Sequence, residues 1–511
     1  MTYWADDIAA GLEPSAGGEV LATGISPSGE IHVGNLREVL TGDAIHRVLK
    51  ERGRKSKLLF IADDLDPLRR VYPFLPADTF AGRVGCSLSH IPCPCTRHGS
   101  YAEHFLEPFL ASMTELEVDI ELVRSHDLYA SGRMDDVIAT ALEHTADIAS
   151  ILKDLTGKEV GPDWSVFDAR CTACHRLTAT TVTGVDSGAC TVAFSCACGT
   201  TGTVPFAGGG KLTWRVDWPA RWKVLGVTLE PFGKDHASRG GSYDTGVRIA
   251  REIFGIIPPR GVPYEWISLK GKGDMSSSRG NTVSIHRMLE IVPADLLRYV
   301  VLRTDPPRAI RFDPGLPLLQ TFEEFENAEN RNHNRRAAEL SRVAACGRPG
   351  VSFRHLVTIA QVAGFDLERT REILARGGRT IEDEAALARR LEHVRNWLKS
   401  FAPPDVRFSL SPTLPEDTAG LTGDQRAFLA RLAEQIPDQA TGDDLHALIY
   451  ELIEKRPDLQ PAAAFAAIYL AFIGRSRGPR AGHFLAALPV SFVRERLRAA
   501  SAVPGQSAQS T

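Results

Sequence analysis

The sequence predicts an α/β fold with a parallel sheet in its amino-terminal part and an all-helical carboxy-terminal part. Three observations carry this. Short apolar runs suited to buried strands alternate with stretches of helical period over roughly the first half. The stretch 168–204 changes character, being rich in Thr, Val, Gly and Cys with alternating β-branched residues. From about residue 310 the pattern is helical throughout.

The elements follow in order. Met1 to Ala10 suits a short leading helix, and Gly17-Gly18 breaks the chain before a buried strand at Val20-Leu21-Ala22. Then comes TGISPSGEIHVGN, Thr23 to Asn35, followed by a helical pattern from Leu36 to Leu49. Pro27, Ser28 and Gly29 make the turn and Gly34 opens the helix. Strand, tight turn and helix N-terminus together form a phosphate site, because free backbone N–H groups and the positive helix end face the ligand. Gly29 and Gly34 let a nucleotide approach closely, and His32 donates hydrogen bonds without a permanent charge. A lone histidine in a turn means little; the pattern P-S-G-x-x-H-x-G-N is far more specific. A second strand, Lys57 to Ala62, ends in Asp63-Asp64, where ligands bind in an open parallel sheet; capping of the next turn explains the pair equally well.

Cys93 and Cys95 lie in an irregular loop with no second cysteine pair nearby, and read as free thiols. Tyr101 to Glu117 and Met134 to Leu155 suit helices, with a strand at Val118 to Val123. Cys171 and Cys174, then Cys196 and Cys198, are two close thiol pairs separated by a hairpin-like stretch, which suits a closed four-cysteine structural zinc site. Cys190 is a spare candidate. In WRVDWPARW, Trp214 to Trp222, Asp217 beside Trp218 joins a carboxylate to an aromatic face, the two things that hold an ammonium. Gly-Lys-Asp-His, with His236, precedes a helix at Tyr243 to Phe254, and Tyr264 opens a strand running to Leu269. GKGDMSSSRGN, Gly271 to Asn281, reads as a mobile loop and phosphate clamp, with charge from Lys272 and Arg279 and hydroxyls from Ser276, Ser277 and Ser278.

The remaining helices fall at Thr321 to Val343, Phe353 to Val362, Asp366 to Arg376, Thr380 to Phe401, Asp424 to Gln435, Thr441 to Glu454 and Pro461 to Ile473. The basic runs 331–336, 475–480 and 494–498 are candidates to meet phosphates. Ser501 to Thr511 suits a disordered tail. The 511 residues allow two to four domains. No secretory signal or membrane span is legible. A net charge of −4 argues against unspecific attraction to nucleic acid. Nine cysteines, some in tight pairs, point to metal binding in a reducing cytoplasm rather than to disulfides.

These motifs taken together resemble one family. P-S-G-x-x-H-x-G-N looks like the "HIGH" signature of class I aminoacyl-tRNA synthetases, with Asn35 in place of the second histidine. YWADDIA near the start, SYAEHF, WRVDWPARW, GKDH, SYDTG, MSSSRGN, NWLKSFAP and FIGRSRGPR, in that order, are similar to class I, archaeal-type lysyl-tRNA synthetases almost end to end.

The resemblance implies a Rossmann-type catalytic domain in two halves, 1–85 and 211–270, around a zinc-bearing insertion, 86–210. It further implies a signature loop and stem-contact segment, 271–315, an α-helical anticodon-binding domain, 316–500, and a tail, 501–511. The implied reaction joins L-lysine to ATP, with Mg2+, as lysyl-adenylate and passes the lysyl group to lysine tRNA. His32, Asn35, Lys272, Ser276, Ser277, Ser278 and Arg279 would carry the chemistry, and Pro27, Ser28, Gly29, His32, Gly34, Asn35 and Met275 would line ATP. Gly24, Ser26, Asp63, Asp217, Trp218, His236 and Tyr264 would form the lysine pocket. A cytoplasmic monomer, with no membrane partner, is the expectation. One departure stands out: the family's loop begins Lys-Met-Ser, and here Asp274 precedes Met275. That keeps two alternatives open, a paralogue activating lysine for a non-tRNA acceptor and a catalytically impaired tRNA-binding regulator.

Overall fold

Five parallel strands organise the amino-terminal part of the molecule, seen here in a computed structural model that describes residues 3–270, 273–274, 283–328 and 334–502. They are β1 (Glu19–Ile25), β2 (Ser56–Ala62), β3 (Glu121–Arg124), β4 (Leu229–Gly233) and β5 (Arg260–Tyr264). Their order is β5–β4–β1–β2–β3, with every neighbouring pair parallel. The register of the central pair runs from Glu19 opposite Ser56 to Ile25 opposite Ala62. The chain leaves β1 toward β2 and β3, then returns to its other side with β4 and β5. The order therefore reverses between β1 and β4, the switch point at whose carboxyl ends open parallel sheets bind ligands.

Helices cover this sheet: α1 (Trp4–Ala10), α2 (Leu36–Glu51), α3 (Tyr101–Glu115), α4 (Trp214–Leu225) and α5 (Ser242–Glu252). In α2, Leu36, Val39, Leu40, Ile45, Val48 and Leu49 are buried. That burial holds the helix more than propensity does. In α4 the spacing of Trp214, Trp218 and Trp222 puts three rings on one face; Trp214 stacks on Trp218 at 5.3 Å. Pro219 lies inside this helix, a position that sequence rules disfavour; burial of the tryptophan face outweighs it.

Three expected elements are divided. The helix expected over 134–155 breaks at His144 into Asp135–Glu143 and Thr145–Thr156. The strand expected over 264–269 divides. Tyr264 ends β5, the Glu265 N–H donates to the Pro306 carbonyl, and Ile267–Leu269 joins Gly273–Asp274 and Ile310–Phe312 in a separate sheet. The helix expected over 321–343 is seen as Leu316–Glu326 and Arg335–Ser341, and part of the span between lies outside the described residues. The insertion forms an antiparallel sheet of Thr180–Asp186, Thr191–Cys196 and Thr201–Pro205.

The described chain divides into two compact units. The first holds the described residues of Met1–Leu289, Ala294–Phe312 and Asn332–Val343; the second holds those of Glu290–Pro293, Asp313–Arg331 and Ala344–Thr511. The second is helical, with a core that includes Phe428, Leu432, Ile449, Phe472, Phe484 and Leu497. Its helices start on side-chain caps at Ser352, Asp366, Asp383, Thr422 and Thr441.

The basic runs prove unequal. Arg336 bonds Asp6 and Glu51, and Arg335 bonds Glu339. Arg494 pairs with Asp438, and Arg496 donates to the carbonyls of Ser411, Pro412, Thr413 and Ala471. These arginines are engaged within the chain. Arg477 and Arg480 instead line a cavity of about 610 Å³ in the second unit, with Arg354, His355, Arg379 and His483. Among the described residues, no helix is long and apolar enough to cross a membrane.

Candidate active site and metal centres

The turn after β1 is held by its own side chains. His32 precedes a short 3-10 turn, Val33–Asn35, that runs into α2. Its Nδ1 accepts the Gly34 N–H at 3.1 Å, and its own N–H donates to Asn35 Oδ1 at 3.0 Å. Two orphan donors of a helix start are thereby satisfied reciprocally. His32 is 8% exposed, and burial pulls its pKa down to about 4. The ring is therefore neutral near pH 7, and because Nδ1 accepts, Nε2 carries the proton. Asn35 uses its oxygen internally, which leaves its amide N–H₂ for a ligand. Tyr101 fixes the turn by donating to the Ser28 carbonyl at 2.7 Å.

The chain after the expected signature loop returns to this turn: the Val33 N–H donates to the Val283 carbonyl, and Ser284 bridges to His32. Lys272, Met275, Ser276, Ser277, Ser278 and Arg279 themselves lie outside the described residues.

Below the turn, the crevice is acidic and aromatic. Glu38, on the first turns of α2, accepts the Gly24 N–H at 2.7 Å and the Tyr264 hydroxyl at 2.7 Å. A Cβ on Gly24 would stand 3.1 Å from the Ile61 carbonyl oxygen, which is why a residue without one suits this position. Glu230, from β4, accepts the Trp222 indole N–H at 2.5 Å. Burial pushes Glu38 up to about 8, against the pull of its two hydrogen bonds. Burial likewise pushes Glu230 up to about 7. Trp218 packs edge-on against His236 at 5.5 Å and against Phe232 at 5.5 Å. Ser26 is half-buried on the rim.

Asp63 and Asp217 are engaged elsewhere. Arg221 Nη1 reaches Asp63 at 2.5 Å and Arg221 Nε reaches Asp217 at 3.4 Å. The Tyr129 hydroxyl donates to Asp217 at 2.6 Å. Lys211 lies 3.5 Å from Asp217 and 2.7 Å from Asp66. Three carboxylates and two cations thus share one buried network. Asp217 is fully buried within it, facing away from the helix direction of Trp218, since neighbours in a helix point about 100° apart. Sequence reasoning missed Glu38 and Glu230. The available signal was a carboxylate set in an otherwise apolar run, clearest in Leu-Glu-Pro-Phe at 229–232.

Two groups of side chains that could hold a metal ion converge in the first unit. Cys171, Cys174, Cys196 and Cys198 converge, with Cys171 to Cys198 and Cys174 to Cys196 both at 3.6 Å. Cys190 lies outside the group, its thiol on the Ser187 carbonyl. Cys93 and Cys95, read from sequence as free thiols, are free in the structure and converge with His98 and with His104 from the start of α3 in a group that could hold a metal ion. Cys95 lies 3.3 Å from both His98 Nδ1 and His104 Nδ1, Cys93 lies 3.2 Å from His98, and the two imidazoles are 3.4 Å apart. A tetrahedral zinc with Zn–S near 2.3 Å and Zn–N near 2.0 Å sets donor separations of about 3.3–3.8 Å. Both groups fit that cage. His98 Nε2 meets Glu107 at 2.7 Å, the outer-shell carboxylate that orients metal-binding imidazoles.

A parallel sheet whose first crossover makes an anion cradle, with an acidic, aromatic crevice beside it at the switch point, defines a nucleotide-dependent enzyme of the class I aminoacyl-tRNA synthetase type. Residues 2–346 match the model of the family described as tRNA synthetases class I (K), and the chain belongs to that family. It is 45% identical to lysine--tRNA ligase 1 of Methanosarcina acetivorans, over 98% of each chain. It is 45% identical to the lysine--tRNA ligase of Archaeoglobus fulgidus, over 98% of this chain and 100% of that one. To the Thermoplasma acidophilum lysine--tRNA ligase it is 39% identical, over 97% of this chain and 98% of the relative.

Proposed function

We infer that this chain is a lysine–tRNA ligase of class I. The observation that carries it is end-to-end likeness to ligases of that name, on a fold whose first crossover presents the neutral His32 donor. The lysine carboxylate attacks the α-phosphorus of ATP, pyrophosphate leaves, and the adenylate then gives its acyl group to the terminal ribose of lysine tRNA. The carboxylate is already nucleophilic, so the protein's task is positioning and charge stabilisation.

His32 Nε2–H and the Asn35 amide donate to the α-phosphate, and Pro27, Ser28, Gly29, Gly34 and Met275 line the nucleotide. Lys272, Ser276, Ser277, Ser278 and Arg279 close on the leaving pyrophosphate, which Mg2+ accompanies. Gly24, Ser26, Trp218, His236 and Tyr264 face lysine. Asp63 and Asp217, taken up by Arg221, hold the pocket wall rather than the substrate. The protein works as a cytoplasmic monomer. The test is lysine-dependent ATP–pyrophosphate exchange. Exchange with lysine and not with other amino acids is expected; its absence would leave only a tRNA-binding regulator.

Each cysteine-rich group holds one structural zinc. Metal analysis is expected to give two equivalents. Cys171→Ser with Cys174→Ser removes one, and Cys93→Ser with His104→Ala removes the other. A total of one, unchanged by the second pair of substitutions, would show Cys93 and Cys95 to be plain thiols.

The helical second unit reads the anticodon, and its arginine-lined cavity takes part. Replacing Arg379 and Arg477 by alanine is expected to raise the KM for tRNA in charging by about tenfold or more, since contacts to charged groups contribute about 1.5–3 kcal/mol each. Exchange without tRNA should stay unchanged. A parallel fall in exchange would remove the cavity from tRNA recognition.

A further inference from the structure

We propose that Tyr101 is a positioning residue for the nucleotide, and that the group formed by Cys93, Cys95, His98 and His104 sets its place. The proposal rests on the ligase reading above, in which the turn after β1 holds ATP. Tyr101 belongs to α3, outside that turn, yet its hydroxyl donates to the Ser28 carbonyl at 2.7 Å. A peptide unit is planar and trans, so the Ser28 carbonyl and the Gly29 N–H that follows it point in opposite directions. Holding the one aims the other, away from α3. Gly29 is buried, and among the described residues no acceptor meets its N–H. A buried backbone donor without a partner is rare and costly. A phosphate oxygen of ATP supplies that partner, in a charge-assisted bond. The ring of Tyr101 is wholly buried, with Phe105 at 5.0 Å and Phe80 at 6.0 Å, so its neighbours fix the direction of the hydroxyl.

The cysteine–histidine group brackets the same residue. Tyr101 is the first residue of α3 and lies between His98 and His104 in the chain. Its N–H donates to the Ile91 carbonyl at 2.9 Å, just ahead of Cys93. Cys95 Sγ lies 3.3 Å from His98 Nδ1, in the loop, and 3.3 Å from His104 Nδ1, on the helix. An ion held by these side chains cross-links the loop to the first turn of α3, the turn that carries Tyr101. Taking the ion away removes the cross-link and frees that turn to shift, and the hydroxyl on Ser28 shifts with it. The metal group thus acts on ATP through one tether, from His104 to Tyr101 to the Ser28–Gly29 peptide, without touching the nucleotide.

The experiment is calorimetric titration of the full chain with ATP and Mg2+, beside metal analysis and pyrophosphate exchange. Tyr101→Phe is expected to raise the Kd for ATP about fivefold, as for the loss of one hydrogen bond. Its metal content should be that of the wild type. Its KM for lysine, and its kcat at saturating ATP, should stay within about twofold, since the lost contact binds ground state and transition state alike. Tyr3→Phe is the control. That hydroxyl also donates to a main-chain carbonyl of the first unit, Leu302, at 2.6 Å, and its loss should leave the Kd for ATP unchanged. Cys93→Ser with His104→Ala should raise the Kd for ATP by about fivefold or more. Adding Tyr101→Phe to that pair should raise it little further, because changes that act through one contact do not add. A Kd for ATP in Tyr101→Phe equal to the wild type would overturn the proposal, and so would full multiplication of the two effects in the combined variant. Should the ligand pair fail to fold, Tyr101→Phe against Tyr3→Phe decides alone. Wild-type protein that binds no ATP would instead sink the nucleotide reading of the turn, and Tyr101 with it.

Discussion

His32→Ala is expected to lower lysine-dependent pyrophosphate exchange by about 10²–10³-fold, the usual cost of losing one preorganised donor to a transition-state oxyanion. Three facts make this donor preorganised. Burial keeps the ring neutral down to about pH 4, the Gly34 N–H occupies Nδ1, and the Asn35 side chain holds the backbone. The loss should fall on kcat more than on the KM for ATP, because charge on the α-phosphoryl oxygens grows in the transition state. It should also be nearly independent of pH between 6 and 8, since His32 does not titrate there. A pH-dependent loss with an inflection near 6.5 would mean that His32 works as a cation. Stability should change little, about 1 kcal/mol, as for other caps.

The second large effect is structural. Arg221→Met is expected to destabilise the first unit by about 3–5 kcal/mol, the cost of breaking one side of a buried ion pair. It would leave Asp63 without its guanidinium and Asp217 with only Lys211 and the Tyr129 hydroxyl. Thermal denaturation should show the corresponding transition falling by roughly 10 °C. Arg248→Met is the control: that arginine lies in partly exposed pairs with Asp154 and Glu252, and such pairs contribute about 0–1 kcal/mol. Equal shifts for the two variants would show that the network around Asp217 is surface-like in energy, contrary to its burial.

The turn proposed for the nucleotide was legible as a local structure. Thr23 to Asn35 builds its own cradle from a strand end, a turn and a helix start, so neighbours in sequence are neighbours in space. The amino-acid side was only half legible, because it is assembled by sheet order. Gly24 from β1, Glu38 from α2, Glu230 from β4 and Tyr264 from β5 meet only once β4 is laid against β1. Asp217 beside Trp218 looked like an ammonium clamp in sequence, yet adjacent residues of α4 point apart, and Arg221 one turn on claims the carboxylate. The second candidate metal group was hidden for a related reason. Its histidines belong to the start of α3 and the loop before it, not to a second Cys-x-Cys motif. Among the helices, periodicity located long segments well and missed their interruptions, as at His144, whose backbone leaves the helical range.

Aminoacylation of purified lysine tRNA tests the central claim most directly. The wild-type chain, with lysine and ATP, is expected to charge the tRNA, and His32→Ala is expected to do so at a rate lower by about 10²-fold or more. Wild-type protein that forms no lysyl-tRNA, or a His32→Ala variant that charges at the full rate, would contradict it.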